Sequence, residues 1–403
     1  MSSAPVEIPL ARAELARAPG TDQDATSGAT AINAFAFDLH RALATGDENL
    51  VFSPTSIAIA LGMARAGARG ETAAQMDRVL RNVASDENAN WLNALDQALV
   101  SRSGTFPDDE GTVHELTLDI TNAYFAQRDF TFEQAFLEAL ASRFGAGVHQ
   151  VDFARDAEAA RLLINAWANE RTRNRIPEVL QPGNVTENTV LALVNAIYLK
   201  APWHRPFSTA ETSTATFTKL DGSTVDVPTM HSSGDVSCAS GPGWSAADLP
   251  YLRDTLSMLV IVPDDLAAFE AELDPEMLAT IERGLASQTE GAKVSLPRFD
   301  FETREELQEI LAKLGMPDAF DERADFSGMA AGGGLAISKV IHQANITVDE
   351  KGTEAAAVTV IGIDVAGPPP ITCTADASRP FLFAIRDRAT GAILFLGRVV
   401  DPS

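Results

Sequence analysis

The stretch VLALVNAIYL, residues 190–199, constrains the fold more than any other part of the chain. Read with the two-residue period of a β-strand, it is apolar on both faces. A strand of this kind is stable only when both of its faces are covered, as in the centre of a sheet between other layers. The stretch therefore predicts a layered domain built around a central β-strand.

Further β-rich runs surround this strand, and helical patterns are interleaved with them. Ser53-Pro54 pairs an N-cap residue with a first-turn proline ahead of TSIAIALGMARAGA, which predicts a helix start. The elements do not follow a regular βαβ alternation, so the order favours an α+β domain over an α/β barrel or a doubly wound fold. The additional predicted strands are 116–126, 256–262, 292–300, 335–348, and two C-terminal strands joined by a turn around Thr390-Gly391.

One later helix carries both a start signal and a stop signal. Thr303 and Glu306 have the spacing of a capping box, and Gly315 with Pro317 marks the end. A helix is therefore predicted to start at the capping box. Its apolar stripe consists of Leu307, Ile310, Leu311 and Leu314.

The charge balance excludes several classes of partner. The chain has 56 acidic and 31 basic side chains and a formal net charge of −25, which repels phosphate backbones and anionic lipid. No apolar run approaches the eighteen or so residues that a membrane-spanning helix needs. We therefore expect neither a nucleic-acid partner nor a membrane partner.

The two cysteines and the N-terminus say little about function. Cys238 and Cys373 have no metal-type spacing, so we expect no metal and no cofactor, and whether the two cysteines pair stays open. Residues 1–28 are predicted to form a flexible extension, whose role stays open, ahead of a single domain at 29–403. No secretory signal is visible, so a cytoplasmic location is the default expectation and an extracellular one stays open.

Catalytic signatures are missing from the sequence. It contains no GxSxG elbow, HExxH pair, CxxC, Walker-type loop or strand-linked GxGxxG. The six histidines are scattered along the chain, and nothing in their spacing selects a catalytic triad. We therefore expect a protein that is not an enzyme.

The unusual segment is DEKGTEAAAVTVIGIDVAGPPP, residues 349–370. With period two from Thr353, one face carries small and apolar residues that suit a core. The three prolines that follow cannot continue a hydrogen-bonded central strand. The segment is typical of a strand held outside its sheet by a distal tether, and the alternative is an edge strand that leads into a proline-rich turn.

Together with matching stretches along the chain, this segment resembles the hinge and reactive loop of the serpin family of serine protease inhibitors, in an inhibitory, prokaryotic-type form. The match runs from about residue 30 to 402, in the same order and spacing. Its motifs include NLVFSPTSIAIAL (49–61), TNAYF (121–125), INAWANERT (164–172), LVNAIYLKAPW (193–203), SLPRFDFETREEL (295–307), HQANITVDEKGTEAAA (342–357) and RPFLFAIRD (379–387).

The resemblance implies a serpin fold of three β-sheets with eight or nine helices and an exposed reactive-centre loop at about 350–370. A target serine protease, or a cysteine protease, would cut this loop and stay covalently attached while the loop inserts into the central sheet. We expect a monomeric inhibitor. Residues 81–100 are mostly acidic and neutral, so no heparin-type site is expected.

The hinge that would begin this insertion is matched by residues 350–357. Gly352 supplies backbone freedom, and the small alanines can pass between strands. Val358, where the family has a smaller residue, is expected to slow insertion without preventing it. The implied hinge residues are Glu350, Lys351, Gly352, Thr353, Glu354, Ala355, Ala356 and Ala357.

Two further groups of residues match positions that control sheet opening in the family. Trp203 lies where insertion begins, and Arg298 is expected to pair with Glu350 there. A polar cluster beneath the sheet is matched by Ser53, Ser56, Asn195 and His342. Simpler interpretations stay open, since Ser53 is also a helix cap and His342 can be an ordinary core histidine.

The position of the reactive bond follows from the usual loop length. Seventeen residues counted from Glu350 place the cut between Ala366 and Gly367, with cleavage after Asp364 or Val365 as alternatives. Small bait suits the shallow pocket of an elastase-like or subtilisin-like protease, whereas an acid before the cut would suit an Asp-specific one. The alternative function is a non-inhibitory serpin with a binding or chaperone-like role.

Overall fold

The computed structural model describes residues 8–81, 85–234, 236–287, 291–330, 334–353 and 371–403. Across these ranges the chain forms nine α-helices and three β-sheets, so the predicted α+β class is confirmed. No helix in the described ranges is both long enough and apolar enough to cross a membrane. The α-helices are α1 (Asp22–Leu43), α2 (Pro54–Gly67), α3 (Gly70–Val79), α4 (Ser85–Val100), α5 (Gln134–Ala139), α6 (Ala157–Arg171), α7 (Leu266–Glu272), α8 (Pro275–Ser287) and α9 (Gln308–Leu314).

The strands fall into a central sheet, a second sheet and a third sheet. They are β1 (Leu10–Ala11), β2 (Leu50–Phe52), β3 (Gly104–Pro107), β4 (Val113–Gln127), β5 (Val148–Val151), β6 (Leu191–Pro202), β7 (Ser213–Thr218), β8 (Thr224–Gly234), β9 (Ser237–Gly241), β10 (Trp244–Pro250), β11 (Leu256–Pro263), β12 (Gly291–Pro297), β13 (Phe299–Glu306), β14 (Lys339–Asp349), β15 (Gly352–Thr353), β16 (Ile371–Asp376), β17 (Phe381–Asp387) and β18 (Ile393–Val399). The central sheet has the order β1-β5-β4-β6-β15-β14-β13, with β3 paired to β4; the second is β2-β18-β17-β11-β10-β9, and the third is β16-β12-β8-β7.

Strand β6 is covered on both faces, as its sequence predicts. Ile197 and Leu199 face the main hydrophobic core. Val194 and Ala196 face the opposite way and join a second buried cluster with Trp167 of helix α6. Alternate residues of one strand thus reach two separate cores, which is why an apolar residue is needed at nearly every position.

Strands β6 and β14 form a fork. They run parallel and pair directly over residues 192–196 and 339–343. At the upper end β15 lies between them, antiparallel to both, with Thr353 opposite Ala201 on one side and Val348 on the other. Among the described residues, no pairing joins 197–200 to 344–347. Here "fork" means this divergence of β6 and β14 around β15.

The predicted capping box at Thr303 and Glu306 is wrong. Both residues lie in β13, opposite Ala344 and Ile341 of β14, and helix α9 begins only at Gln308. The Thr303 hydroxyl accepts the backbone N–H of Val51 at 3.0 Å instead of capping a helix. Pairing with β14 outweighs the local capping signal, because it satisfies the backbone groups that face β14 along all of Phe299–Glu306.

The N-terminal part of the chain packs against the domain from residue 8 onwards. Residues 21–28, the last part of the predicted extension, contain the N-cap and first turns of α1, since the Thr21 hydroxyl accepts the Asp24 N–H at 3.1 Å. Before it, β1 pairs with β5, and Arg17 forms an ion pair with Asp96 at 2.7 Å. The boundary predicted at residue 28 therefore falls inside helix α1.

The two cysteines, whose pairing the sequence left open, form a disulfide. Cys238 lies in β9 of the second sheet and Cys373 in β16 of the third, with their Cα atoms 5.9 Å apart. The bond joins residues 135 positions apart in the sequence. It therefore ties the edge strands of two different sheets together.

Candidate functional site

The candidate site begins at the turn that leads from β14 into β15. The Trp203 N–H donates to the carbonyl of Lys351, and the Phe207 N–H donates to that of Glu350, both at 2.8 Å. The Trp203 indole N–H donates to the carbonyl of Asp349 at 2.9 Å. The end of β6 and the loop after it thus hold this turn by its backbone, and the turn delivers Gly352 into the fork.

Glu350 is the charged centre of this turn. Its carboxylate is buried and accepts hydrogen bonds from Arg298 Nε at 2.9 Å and from the Thr212 hydroxyl at 2.5 Å. Burial alone would raise the pKa of Glu350, but these donors outweigh it and hold the pKa below its ordinary value. The expected pairing of Arg298 with Glu350 is confirmed, and Thr212 is a partner that the sequence did not indicate.

Thr353 is seated against an aromatic platform. Its hydroxyl lies 2.6 Å from that of Tyr251, and both residues are buried. The Tyr251 ring stacks on Trp203 with centroids 4.5 Å apart and planes 6° from parallel. Burial raises the pKa of Tyr251, so its phenol stays protonated and acts as a hydrogen-bonding group.

Gly352 occupies a position that excludes any side chain. Its φ is +147°, in the region that favours glycine, and a Cβ there would lie 2.2 Å from the carbonyl oxygen of Ala201. Glycine is therefore needed here for two reasons: the backbone conformation favours it, and the neighbouring strand is too close for any side chain. We call the group around this turn the hinge cluster; it consists of Trp203, Thr212, Tyr251, Arg298, Glu350, Gly352 and Thr353.

A second polar group lies lower in the fork, where β6 and β14 are in contact. Asn122 of β4, Asn195 of β6 and His342 of β14 are in register across three neighbouring strands. The Asn195 amide N–H₂ donates to the Asn122 side-chain oxygen and to the Ser56 hydroxyl. Three strands are thus joined side chain to side chain at one level of the sheet.

The hydrogen bonds of His342 define its protonation state. The backbone N–H of Ser53 donates to Nε2 at 3.0 Å, so the ring proton resides on Nδ1 and is donated to Asn195 Oδ1 at 2.5 Å. The ring is completely buried, and burial lowers its pKa to about 3. A second proton would require Nε2 to face a donor, so His342 is neutral at physiological pH.

Ser53 and Ser56 link this group to the start of helix α2. The Ser53 hydroxyl accepts the Ser56 N–H at 3.2 Å, so Ser53 is the helix N-cap, and its own N–H serves His342. The capping interpretation and the cluster interpretation of Ser53 therefore both hold. We call this group the latch cluster; it consists of Ser53, Ser56, Asn122, Asn195 and His342.

The site residues named from the sequence divide into two sets. Ser53, Ser56, Asn195 and His342 lie together in the latch cluster, whereas Trp203, Arg298, Glu350, Gly352 and Thr353 lie together in the hinge cluster, with Lys351 in its turn. The remaining ones lie outside the described residues: Glu354, Ala355, Ala356, Ala357, Asp364, Val365, Ala366 and Gly367.

Sequence reasoning missed three members of these clusters. Asn122 lies within the TNAYF motif, and its role emerges only from the register that places it beside Asn195. Tyr251 and Thr212 come from loops far from the hinge in sequence. No local pattern marks either of them, since each acts through one hydroxyl brought into place by the fold.

Comparison with known proteins matches nearly the whole chain to one family. The family model described as "Serpin (serine protease inhibitor)" covers residues 30–402. A serpin-like protein of Thermococcus kodakarensis, itself uncharacterized, is 37% identical over 380 residues, which cover 92% of this chain and 85% of that protein. The leukocyte elastase inhibitor of Bos taurus is 35% identical over 385 residues, covering 91% of this chain and 97% of that protein.

A solved structure shows the same architecture. The native state of the thermophilic serpin tengpin superimposes with a TM-score of 0.84 at 27% identity, covering 97% of this chain and 99% of that one. The overall fold of this chain therefore matches that of a serpin in its native state.

Proposed function

The chain belongs to the serpin family, and we propose that it inhibits a serine protease as a suicide substrate. In this proposal the protease cuts the loop after Ala366 and remains attached as an acyl-enzyme. The freed loop then enters the fork as a new strand. Residues 354–366 would follow Gly352 and Thr353, which already lie between β6 and β14.

The position of Thr353 in the fork is the observation that carries this proposal. Each further residue of an inserted loop moves one position back along both β6 and β14. In that register Thr359 arrives opposite both Asn195 and His342, which are themselves paired in the present sheet. The two strands therefore need to separate but need not slide, because their present offset already suits the incoming strand.

The same register predicts which residues the inserted loop would contact. Ala355 and Ala357 would follow Thr353 on the core-facing side, next to Leu199 and Ile197 of β6, where small residues pass with little steric cost. Thr359 would bring a hydroxyl to the latch cluster in place of the direct contact between Asn195 and His342. A hydroxyl both donates and accepts, so it can satisfy the groups that strand separation exposes.

The proposed target is an elastase-like or subtilisin-like protease, because Ala366 offers a small side chain to the specificity pocket. The leukocyte elastase inhibitor of Bos taurus, a relative at 35% identity, is named for a target of this class. A trypsin-like enzyme, which requires a cation before the cut, is the matched control. A cysteine protease with a shallow pocket is a second target class of the same proposal.

Inhibition is tested by mixing the purified chain with each protease and resolving the products under denaturing conditions. We expect an SDS-stable complex with the elastase-like or subtilisin-like enzyme, together with a peptide of residues 367–403 that is freed once the Cys238–Cys373 disulfide is reduced. The trypsin-like enzyme should give neither product at this bond. Clean cleavage without a complex for every protease would overturn inhibition and favour the non-inhibitory, binding or chaperone-like alternative.

A further inference from the structure

The Cys238–Cys373 disulfide lies at the distal anchor of the proposed loop. Strand β16 follows residue 370 directly and is the edge strand of the third sheet, where it pairs in parallel with β12. Cys373 is 6% exposed and Cys238 is fully buried. The second sheet thus holds β16 covalently through β9, at the point where the loop returns to the body of the protein.

An uncut loop can fill the fork only by drawing chain from this anchor. In the register set by Thr353, residue 363 would reach Leu191 at the lower end of β6, so ten residues would span about 33 Å of strand. The remaining chain from 363 to Ile371 extends at most about 27 Å and contains three consecutive prolines. β12, on which β16 pairs, leads through Arg298 to the hinge cluster at the upper end of the fork, so an uncut loop inserted down to Leu191 has to return towards that end and would pull on β16.

The hydrogen bonds of β16 alone are a weak restraint against this pull. β16 has one sheet neighbour, β12, and the register between them is interrupted near Gly291. An edge strand of this kind can detach one hydrogen bond at a time from its free end. The disulfide strengthens the restraint on β16 because it attaches this strand to β9, which pairs over five residues with β10 in the second sheet.

Cleavage removes this restraint from the inserting part of the loop. A cut between Ala366 and Gly367 leaves Cys373 on the C-terminal fragment, whereas residues 354–366 remain on the other side of the cut. The disulfide therefore opposes insertion of the uncut loop and leaves insertion of the cut loop unaffected. The disulfide thus acts on only one of the two routes into the fork.

We propose that the Cys238–Cys373 disulfide is a redox-controlled clamp that keeps the uncut loop out of the fork and so sets the lifetime of the active inhibitor. This inference rests on the proposed function. A dithiol opens the clamp: it transfers two electrons to the disulfide and becomes a cyclic disulfide, and its two protons end on the Cys238 and Cys373 sulfurs. A reducing compartment would thus shorten the active lifetime, and an oxidising one would preserve it.

The experiment compares the oxidised chain with the variant Cys238→Ala/Cys373→Ala, both incubated without protease. Samples are withdrawn over time, and three properties are measured: the melting temperature, the intact mass, and the yield of SDS-stable complex with the elastase-like or subtilisin-like enzyme. We expect the variant to become an uncut, monomeric, inactive form of higher melting temperature. Its conversion should be at least about tenfold faster, equivalent to a barrier lower by about 1.4 kcal/mol.

Two controls identify the cause of the conversion. The triple variant Cys238→Ala/Cys373→Ala/Thr353→Arg, which should not insert its loop, should stay in the starting form. Oxidised protein reduced by dithiothreitol after purification should convert like the double variant, and this sample serves if the variant does not fold. Equal conversion rates in the oxidised and disulfide-free samples would overturn the clamp, as would a product that is unfolded or aggregated.

The readouts separate the clamp from the proposed function. Conversion is followed by melting temperature and needs no protease. A faster conversion in the disulfide-free chain, with no protease trapped by either sample, would support the clamp and overturn inhibition. Trapping of the protease by both samples with equal lifetimes would support inhibition and overturn the clamp.

Discussion

The hinge cluster and the latch cluster lie along the same pair of strands but differ in chemistry. The hinge cluster holds a buried carboxylate between Arg298 and Thr212, and the Arg298 side chain is 44% exposed. The latch cluster is buried and neutral, and its hydrogen bonds run directly from β6 to β14 through Asn195 and His342. At the first cluster the strands are already separated by β15, and at the second they are in contact.

In the proposed mechanism, this difference gives the two clusters different steps in strand insertion. Gly352 and Thr353 already lie between β6 and β14 at the upper end of the fork, so these two strands need not separate further there. Progress beyond it requires the Asn195–His342 contact to break within a buried environment, where an unpaired donor costs about 1–3 kcal/mol. In the proposed mechanism the hinge cluster starts insertion and the latch cluster controls whether it continues.

The largest predicted effect comes from placing a charge at the first inserted position. Thr353→Arg should bury an unpaired guanidinium beside Tyr251, at a cost of about 3 kcal/mol or more, and turn the inhibitor into a substrate. The yield of SDS-stable complex should fall about 100-fold or more. Thr353→Ser keeps the hydroxyl that meets Tyr251 and should retain the complex. A Thr353→Arg variant that traps protease normally would show that entry at the hinge cluster is not needed.

The latch cluster should make native stability depend on pH. Burial lowers the pKa of His342 to about 3, below its ordinary value of about 6.5. Between these two pH values His342 is protonated in the unfolded chain and neutral in the folded chain. Stability should therefore fall as pH drops below about 6.5, by about 2 kcal/mol at pH 5. Urea unfolding midpoints at pH 7 and pH 5 measure this fall.

A second histidine requires a control for that measurement. Burial, with Arg171 nearby, also lowers the pKa of His149, so this residue contributes with the same sign. His342→Gln removes only the latch contribution and should reduce the difference between the two pH values. An unchanged difference in His342→Gln would assign the pH dependence to other groups and contradict the neutral state derived for His342.

The smallest predicted effect concerns the ion pair of the hinge cluster. Arg298→Met should leave the buried carboxylate of Glu350 with the Thr212 hydroxyl as its remaining described side-chain donor. Since the Arg298 side chain is 44% exposed, solvent screens the pair and the expected loss of native stability is only about 1 kcal/mol. Arg78→Met, which breaks an exposed pair with Glu71, is the matched control and should leave the urea midpoint unchanged. Equal midpoints for both variants would reduce the Arg298–Glu350 pair to an ordinary surface contact.

The sequence predicted those parts of the fold in which local pattern and tertiary environment agree. The two-sided burial of β6 follows from its own residues, and so does the start of α2 at Ser53-Pro54. The capping box at Thr303 and Glu306 failed because a neighbouring strand, absent from any local pattern, satisfied the same backbone groups. The apolar stripe from Leu307 to Leu314 did predict a helix, but that helix begins at Gln308 and not at the capping box.

The candidate site was predictable to a similar degree. Residues within matched motifs, such as Asn195 and His342, could be named in advance, although their contact depends on the register of β6 against β14. Tyr251 could not be named, because its hydroxyl reaches Thr353 across 102 positions of sequence. The Cys238–Cys373 bond joins two strands of different sheets, and spacing carries no information about that proximity.

We propose that β15 is the beginning of a longer strand, and hydrogen exchange before and after loop cleavage would detect the added residues. Cleavage should protect the backbone amides of residues 197–200 and 344–347 strongly, because a new strand would then pair with both sides of the fork. The Thr353→Arg variant, cleaved at the same bond, should show no such protection. Unchanged exchange in both segments of the cleaved parent chain would contradict the account.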